Sequence, residues 1–276
     1  MLKCILLLLS EYYYEIAESR LGEICDKVNE HQVHVTLKKT DQHKREETLV
    51  ITDEPETAVR LLKDGWYVVI LYHEKNKDKT FPPVRYGMED LFLLEYRSYE
   101  EVFKRLAGLP WNILETDRLK VRESTVEDVD EFYRIYSDPS ITYYMEDLYQ
   151  KREEEEAYMK AYIDQIYGFY GYGLWTILLK ETGEVIGRAG LSVREGYELP
   201  ELGFVIDTAY QKKGYAFEVC GAILTYAKEE LDFDKVQAMV NEKNAASLKL
   251  LDRLGFEFQS NVVVSDYDYK LFEKKL

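Results

Sequence analysis

The chain has 276 residues, 46% of them hydrophobic and 32% charged, and carries a formal net charge of −16. That composition excludes a fibrous or disordered chain, and the length favours two domains of ordinary size. So acidic a balance excludes general binding to nucleic acid or to an anionic membrane, which would need a basic face, and suits a cationic or amine substrate better.

Cys4, Cys25 and Cys220 are scattered without CxxC spacing and leave an odd number, which points away from a disulfide framework or a zinc site and towards a reducing cytoplasm. The opening "MLKCILLLLSEYYYE" has too short an apolar run, and no small-residue cleavage site, for a signal peptide, so it is expected to be buried in a first domain. Residues 1–28 are expected to form one or two helices, with "SRLGEICDKV" the most amphipathic part. After a polar connector, "KKTDQHKREE", the pattern predicts a buried strand "TLVIT", a helix "PETAVRLLKDG" and a second strand "WYVVILY". That order is a βαβ unit with a parallel strand pair. "LFLLE" is expected as another strand, and "SYEEVFKRLAG" as a helix opening on a capping box of Ser98 and Glu101. Asp53 follows a strand and is expected to cap the next helix, with a catalytic or metal role as the alternative, and His73 ends a strand either as a packed side chain or as a ligand contact. In element order alone this region resembles a degenerate haloacid-dehalogenase-type domain, and no residue role is carried over from it.

"GLPWNILETDRL" marks the boundary between a first domain, residues 1–110, and a second, residues 111–276. Beyond it come a strand "LKVRES", a helix capped by Thr125, a helical stretch over 150–167, and the strands "GLWTILLK", "VIGRAGLSV" and "PELGFVI". A helix over 214–231, a strand "KVQAMV", a helix over 244–254 and one or two strands in "FEFQSNVVVSDYDYKLFEKK" complete the order.

The junction "YQKKGYAFEV" joins an apolar strand to an apolar helix through Gln211, Lys212, Lys213 and Gly214. The unpaired N–H groups and partial positive charge of a helix N-terminus suit a phosphate, and Gly214 lets the backbone approach it. A charged turn with a glycine is the plain alternative, because the stretch is neither a Walker loop nor GxGxxG.

The second half of the pattern is "NAASLKLLDRLGF". Together, "QKKGYA" at Gln211, Gly214 and Ala216, "NAASLKLLDRLGF" at Asn244, Ser247, Gly255 and Phe256, and "ETDRLKVRES" at Glu115, Arg118 and Leu119 resemble the GCN5-related N-acetyltransferase superfamily, in particular its ribosomal-protein N-terminal acetyltransferase branch. The resemblance spans roughly residues 113–276 in correct order. It implies an α/β (α+β) fold whose second domain has a mixed, splayed central sheet flanked by helices, behind a small βαβ-type first domain. It further implies acetyl-CoA as co-substrate and no metal. Phe204, Val205 and Ile206 would meet the pantetheine arm, and the backbone from Gln211 through Lys212, Lys213, Gly214, Tyr215 and Ala216 would hold the pyrophosphate. Asn244 would contact pantetheine, Ser247 would lie near the sulfur, and Glu201 would serve as the base for direct attack of an amine on the thioester.

Three positions depart from the family pattern: Leu251 replaces the usual tyrosine acid, Thr208 replaces a proline, and Lys212 stands where glycine is common. The helical segment between the first two strands is crowded with tyrosines and acids, and Tyr143, Tyr144 and Tyr170 are expected to line a slot for a cationic or aromatic amine. The expected partner is thus an amine, either a small molecule or a peptide N-terminus, with a homodimer left open. The competing function is a regulatory protein that binds CoA without turnover.

Overall fold

The computed structural model describes residues 1–40, 42–145, 147–264 and 267–276. Asp41 of the polar connector, Glu146 of the tyrosine-rich segment, and Ser265 and Asp266 of the final strand region lie outside the described residues. The chain divides into two compact units, Met1–Trp111 and Asn112–Leu276.

The first unit runs β1 (Cys4–Leu8), α1 (Glu11–Ser19), α2 (Leu21–Val28), β2 (His34–Thr36), β3 (Thr48–Thr52), α3 (Pro55–Lys63), β4 (Tyr67–Leu71), β5 (Gly87–Met88) and α4 (Tyr96–Leu106). Its sheet has the order β2-β1-β3-β4-β5, and every pairing is parallel. Helices cover both faces of such a sheet, so its strands are continuously apolar instead of alternating. Ile5, Leu7, Leu49, Ile51, Val69 and Leu71 pack with α1, α2 and α4 on one face. Cys4, Leu6, Val50, Val68 and Ile70 pack with Ala58 and Leu61 of α3 on the other. The expected β3-α3-β4 crossover is present.

Three expectations for this unit are corrected. The opening apolar run is a strand followed by two helices, because burial on both faces removes the periodicity that tells strand from helix. "LFLLE" is not a strand: Leu91 and Phe92 are buried, yet they pack against the core as irregular chain. Ser98 lies inside α4, whose N-cap is Glu95, so the proposed capping box does not form.

The second unit runs β6 (Asn112–Glu115), β7 (Leu119–Arg122), α5 (Val129–Tyr136), α6 (Pro139–Thr142), α7 (Arg152–Tyr162), α8 (Gly168–Tyr170), β8 (Leu174–Leu179), β9 (Val185–Ser192), β10 (Glu201–Ile206), α9 (Tyr215–Glu229), β11 (Lys235–Asn241), α10 (Ala245–Leu254), β12 (Glu257–Val264) and β13 (Tyr267–Lys275). The sheet order is β12-β13-β11-β10-β9-β8-β7-β6. All neighbours are antiparallel except β10 and β11, which makes the sheet mixed. The centre of the sheet is tight: a Cβ at Gly190 would lie 1.9 Å from the Gly173 carbonyl oxygen, so only glycine fits there.

Candidate functional site

The ladder of β10 is lopsided. Six residues, Glu201 to Ile206, pair with β9, but only Glu201 pairs with β11, opposite Gln237. Past that single pairing the two parallel strands have diverged, leaving a gap that opens towards their C-terminal ends. Alternation decides which peptide groups face it. Asp207 N–H donates to Ile186 O on β9, whereas Pro200 O accepts from Gln237 N–H on β11. Odd-numbered residues therefore turn towards β9, and Phe204 and Ile206 turn their peptide groups into the gap. Val205 turns its own towards β9 and buries its side chain.

At the open end the chain makes a sharp return into α9. Asp207, 5% exposed, accepts from Ala209 N–H at 2.9 Å and pairs with Arg134, which braces the end of the strand. Gln211 Nε2 donates to Ile206 O at 3.0 Å, so this side chain closes the turn and does not point outward as a free donor. Lys212 and Gly214 both have left-handed backbones, with φ of 61° and 86°. Glycine adopts that conformation without penalty, whereas Lys212 holds it at a cost of about 1 kcal/mol, a physical reason for the glycine that the family resemblance implies at this position. Gly214 is the N-cap of α9 and offers no side chain to the first-turn N–H groups of Tyr215 and Ala216. These donors suit an anion, and Lys212 and Lys213 add positive charge. A pyrophosphate with an extended amide-bearing arm fits this pairing of an uncapped helix end and an unpaired strand edge.

Glu201 stands at the closed end of the gap and is 7% exposed. Arg194 grips both of its oxygens, through Nε on Oε2 and through Nη2 on Oε1 at 3.1 Å. Nothing in the sequence pattern flagged Arg194. Ser247 lies in the first turn of α10, which follows the opposite, C-terminal end of β11, so Glu201 and Ser247 mark the two ends of the gap. Asn244 is the N-cap of α10: its Oδ1 accepts from Ser247 N–H at 3.1 Å, leaving its amide NH2 for other partners. Leu251 is fully buried, so a core side chain fills the position of the family's tyrosine.

The three tyrosines expected to share a slot are not gathered together. Tyr143 is 71% exposed and meets Tyr144 edge-on at 4.7 Å, and Tyr144 OH donates to Lys243 O at 3.1 Å, beside the entry to α10. Tyr170 instead neighbours Phe169 and Tyr172, and Tyr172 stands edge-on to Phe233 beyond the C-terminus of α9. The other tyrosines of this segment are structural. Tyr149, Tyr158, Tyr162 and Tyr167 follow one another at 5.7, 5.9 and 5.2 Å, and Tyr162 OH accepts from Leu174 N–H at 2.8 Å, pinning the segment to β8.

In the first unit, Asp53 is not a helix cap, since Glu54 is the N-cap of α3. Its carboxylate accepts from Ser10 N–H at 2.6 Å, from Ser10 Oγ at 2.5 Å, and from His73 Nε2 at 2.9 Å. Lys75 N–H donates to His73 Nδ1, which leaves the ring proton on Nε2 for Asp53. Asn76, 1% exposed, ties the cluster down through Asp53 O, Leu71 O and His73 N–H.

Comparison with known proteins agrees with the geometry of the second unit. A family model described as an acetyltransferase (GNAT) domain matches residues 118–257, just over half of the 276-residue chain. The uncharacterized N-acetyltransferase p20 of Bacillus licheniformis is 30% identical over 161 residues, covering 56% of this chain and 86% of that protein. The uncharacterized N-acetyltransferase YoaA of Bacillus subtilis (strain 168) is 28% identical, over 57% of this chain and 89% of its own length. Among solved structures, a putative GnaT-family acetyltransferase from Bordetella pertussis shares the fold with a TM-score of 0.53 and 24% identity, over 59% of this chain and 99% of that one. A ribosomal L7/L12 alpha-N-protein acetyltransferase, RimL, in complex with coenzyme A shares it with a TM-score of 0.51 and 14% identity, over 60% and 98%. The chain belongs to the GNAT acetyltransferase family.

Proposed function

We propose that this acetyltransferase moves the acetyl group of acetyl-CoA onto a primary amine, a protein N-terminus or a small amine, by direct attack on the thioester. The observation that carries this reading is the one-sided opening between β10 and β11 with the uncapped N-terminus of α9 at its open end. Acetyl-CoA, when bound, supplies the activated carbonyl carbon. The N–H groups from Lys212 to Ala216 hold its pyrophosphate, the Gln211 N–H being taken by Thr208 O, and the gap-facing peptide groups of Phe204 with the N–H of Ile206 hold the amide-bearing arm. The incoming neutral amine forms the new C–N bond as the C–S bond breaks. Its proton passes to Glu201, directly or through a water, and the departing thiolate takes a proton from water, because Ser247 stands at the other end of the gap from Glu201. For Glu201 to accept a proton, the acceptor or a water must displace one contact of Arg194.

The exposed Tyr143 and its half-buried neighbour Tyr144, beside the helix entry and next to an acidic segment, support a cationic acceptor. The three cysteines are free thiols, as a reducing cytoplasm allows. A second reading, a CoA-binding regulator with little turnover, draws support from the Arg194 grip on Glu201 and from the buried Leu251.

Thiol release measured across peptides, polyamines and aminoglycosides separates the two, alongside calorimetric binding of acetyl-CoA. With an acceptor identified, Glu201→Gln is expected to cut turnover about 100-fold while leaving acetyl-CoA affinity within about twofold. An unchanged rate removes Glu201 from the mechanism. Binding without turnover on any amine favours the regulator.

A further inference from the structure

The motif that opens the second unit, "ETDRL", has no part in the chemistry above, yet its side chains reach the acetyl-CoA loop. Arg118 Nη1 donates to Lys213 O at 3.1 Å. Its Nε and Nη2 both engage Glu218 Oε2, at 2.7 and 2.5 Å, and its guanidinium carbon lies 4.3 Å from the centre of the Tyr215 ring. The other oxygen of Glu218 accepts from Thr116 Oγ1 at 2.6 Å and from Arg118 N–H at 3.1 Å. Thr116 Oγ1 in turn accepts from Leu119 N–H at 3.0 Å, closing the turn between β6 and β7. Burial acts to raise the Glu218 carboxyl, but the bonds from Thr116 and Arg118 outweigh it and hold the group below the usual carboxylate range.

Arg118 thus holds one specific carbonyl, and the geometry of the peptide gives that a consequence. A trans peptide is planar, so its C=O and N–H point in opposite directions. With the Lys213 carbonyl turned to Arg118, the N–H of Gly214 on the same peptide must point away from Arg118, to the inner side of the loop. Left-handed Lys212 precedes this peptide and left-handed Gly214 belongs to it, and the strain held at Lys212 would be free to relax if the carbonyl were released. The rigid guanidinium fork is suited to the task, because it holds a carbonyl and a carboxylate at once.

We infer that Arg118 is a positioning residue for the pyrophosphate site: clamped by Glu218 and Thr116, it orients the Lys213–Gly214 peptide so that the Gly214 N–H is aimed before acetyl-CoA arrives. The inference rests on the reading that the loop from Gln211 to Ala216 holds acetyl-CoA. It explains why a threonine and an arginine at the first turn of the unit are needed by a loop a hundred residues later.

The test is acceptor-independent: calorimetric affinity of wild type, Arg118→Gln and Arg118→Lys for acetyl-CoA and for acetyl-pantetheine, which lacks the pyrophosphate. Arg118→Gln should weaken acetyl-CoA about tenfold, the scale of one misaimed hydrogen bond to a charged group, and leave acetyl-pantetheine within about twofold. Arg118→Lys should also lose affinity for acetyl-CoA, since an ammonium cannot hold carbonyl and carboxylate in the same fork. Equal loss for both ligands would mean a merely structural role and would overturn the inference, as would unchanged acetyl-CoA affinity in Arg118→Gln. Failure of the wild type to bind acetyl-CoA at all would instead sink the reading on which the inference rests.

Discussion

Two sheet edges in this chain look alike in the sequence and differ in structure. In the first unit, Ser10, Asp53 and His73 come from the C-terminal ends of three adjacent parallel strands, the position where α/β sheets commonly hold ligands. In the second, β10 and β11 are the one parallel pair among the described residues, and their C-terminal ends diverge. The first edge is closed upon itself: the Asp53 carboxylate takes three hydrogen bonds from Ser10 and His73, the second ring nitrogen of His73 takes another, and Asn76 uses both ends of its amide. The second edge is left open, with gap-facing peptide groups on Phe204 and Ile206 and an uncapped α9. A polar cluster that satisfies itself stabilises a fold, whereas a row of donors left unpaired by its own chain is ready for a ligand.

The largest expected effect breaks the closed edge. Asp53→Ala would strand the half-buried Ser10 N–H and the His73 ring, both of which now donate to that buried carboxylate. It is expected to cost the first unit about 3 kcal/mol in chemical denaturation followed by circular dichroism, because a buried partner is removed and nothing replaces it. Acetyl-CoA affinity, read by calorimetry in the absence of denaturant, should stay within about twofold. A large loss of affinity would mean that the closed edge serves the ligand, and the contrast between the two edges would fail.

The open edge is tested by Gly214→Val. The left-handed backbone at φ 86° is unfavourable for a β-branched residue, so the loop must either strain or refold. A cost of about 2 kcal/mol is expected to fall on binding, seen as about a thirtyfold weaker acetyl-CoA affinity with the melting temperature nearly unchanged. If the melting temperature falls instead and affinity holds, the conformation of Gly214 serves the fold and not the ligand.

How much of this was legible beforehand depended on the range of the forces involved. The strands β8, β9 and β10 and the helices α9 and α10 were readable because turns, periodicity and the glycine and asparagine signals are local. β1 was not, since "CILLL" is buried on both faces and carries no period. "LFLLE" has the composition of a strand, but with no neighbour to pair with, its Leu91 and Phe92 simply pack as loop. The loop from Gln211 to Ala216 was found by its local pattern, yet the supports that shape it were not. Arg134 reaches Asp207 and Arg118 reaches Lys213 from far along the chain, and the grip of Arg194 on Glu201 depends on a loop geometry that no spacing rule encodes. The tyrosines failed as a set for a related reason: composition counted them, and only the packed chain could show Tyr144 at one end of the sheet and Tyr170 at the other.

The smallest effect sharpens the contrast without any mutation. Cys4 lies in β1 and Cys220 in α9, both buried, so each reports opening of its own unit. Burial pushes the Cys4 thiol up to about 11 against the pull of a Thr48 hydrogen bond, and burial pushes Cys220 up as well. The reactive thiolate is therefore suppressed in the folded state, and labelling near neutral pH must proceed through opening. At a free acetyl-CoA concentration of ten times its Kd, labelling of Cys220 should slow about tenfold, because the ligand stabilises the closed form, while labelling of Cys4 should not change. The alkaline limb has a fixed sign. A thiol whose folded value is raised contributes stability that is complete below its unfolded value near 9.0 and is lost as pH rises towards 11, so Cys4 labelling should accelerate over that window with or without acetyl-CoA. Mass-resolved labelling distinguishes the two thiols, and equal protection of Cys4 and Cys220 would show that acetyl-CoA binding is felt at the closed edge as well as the open one.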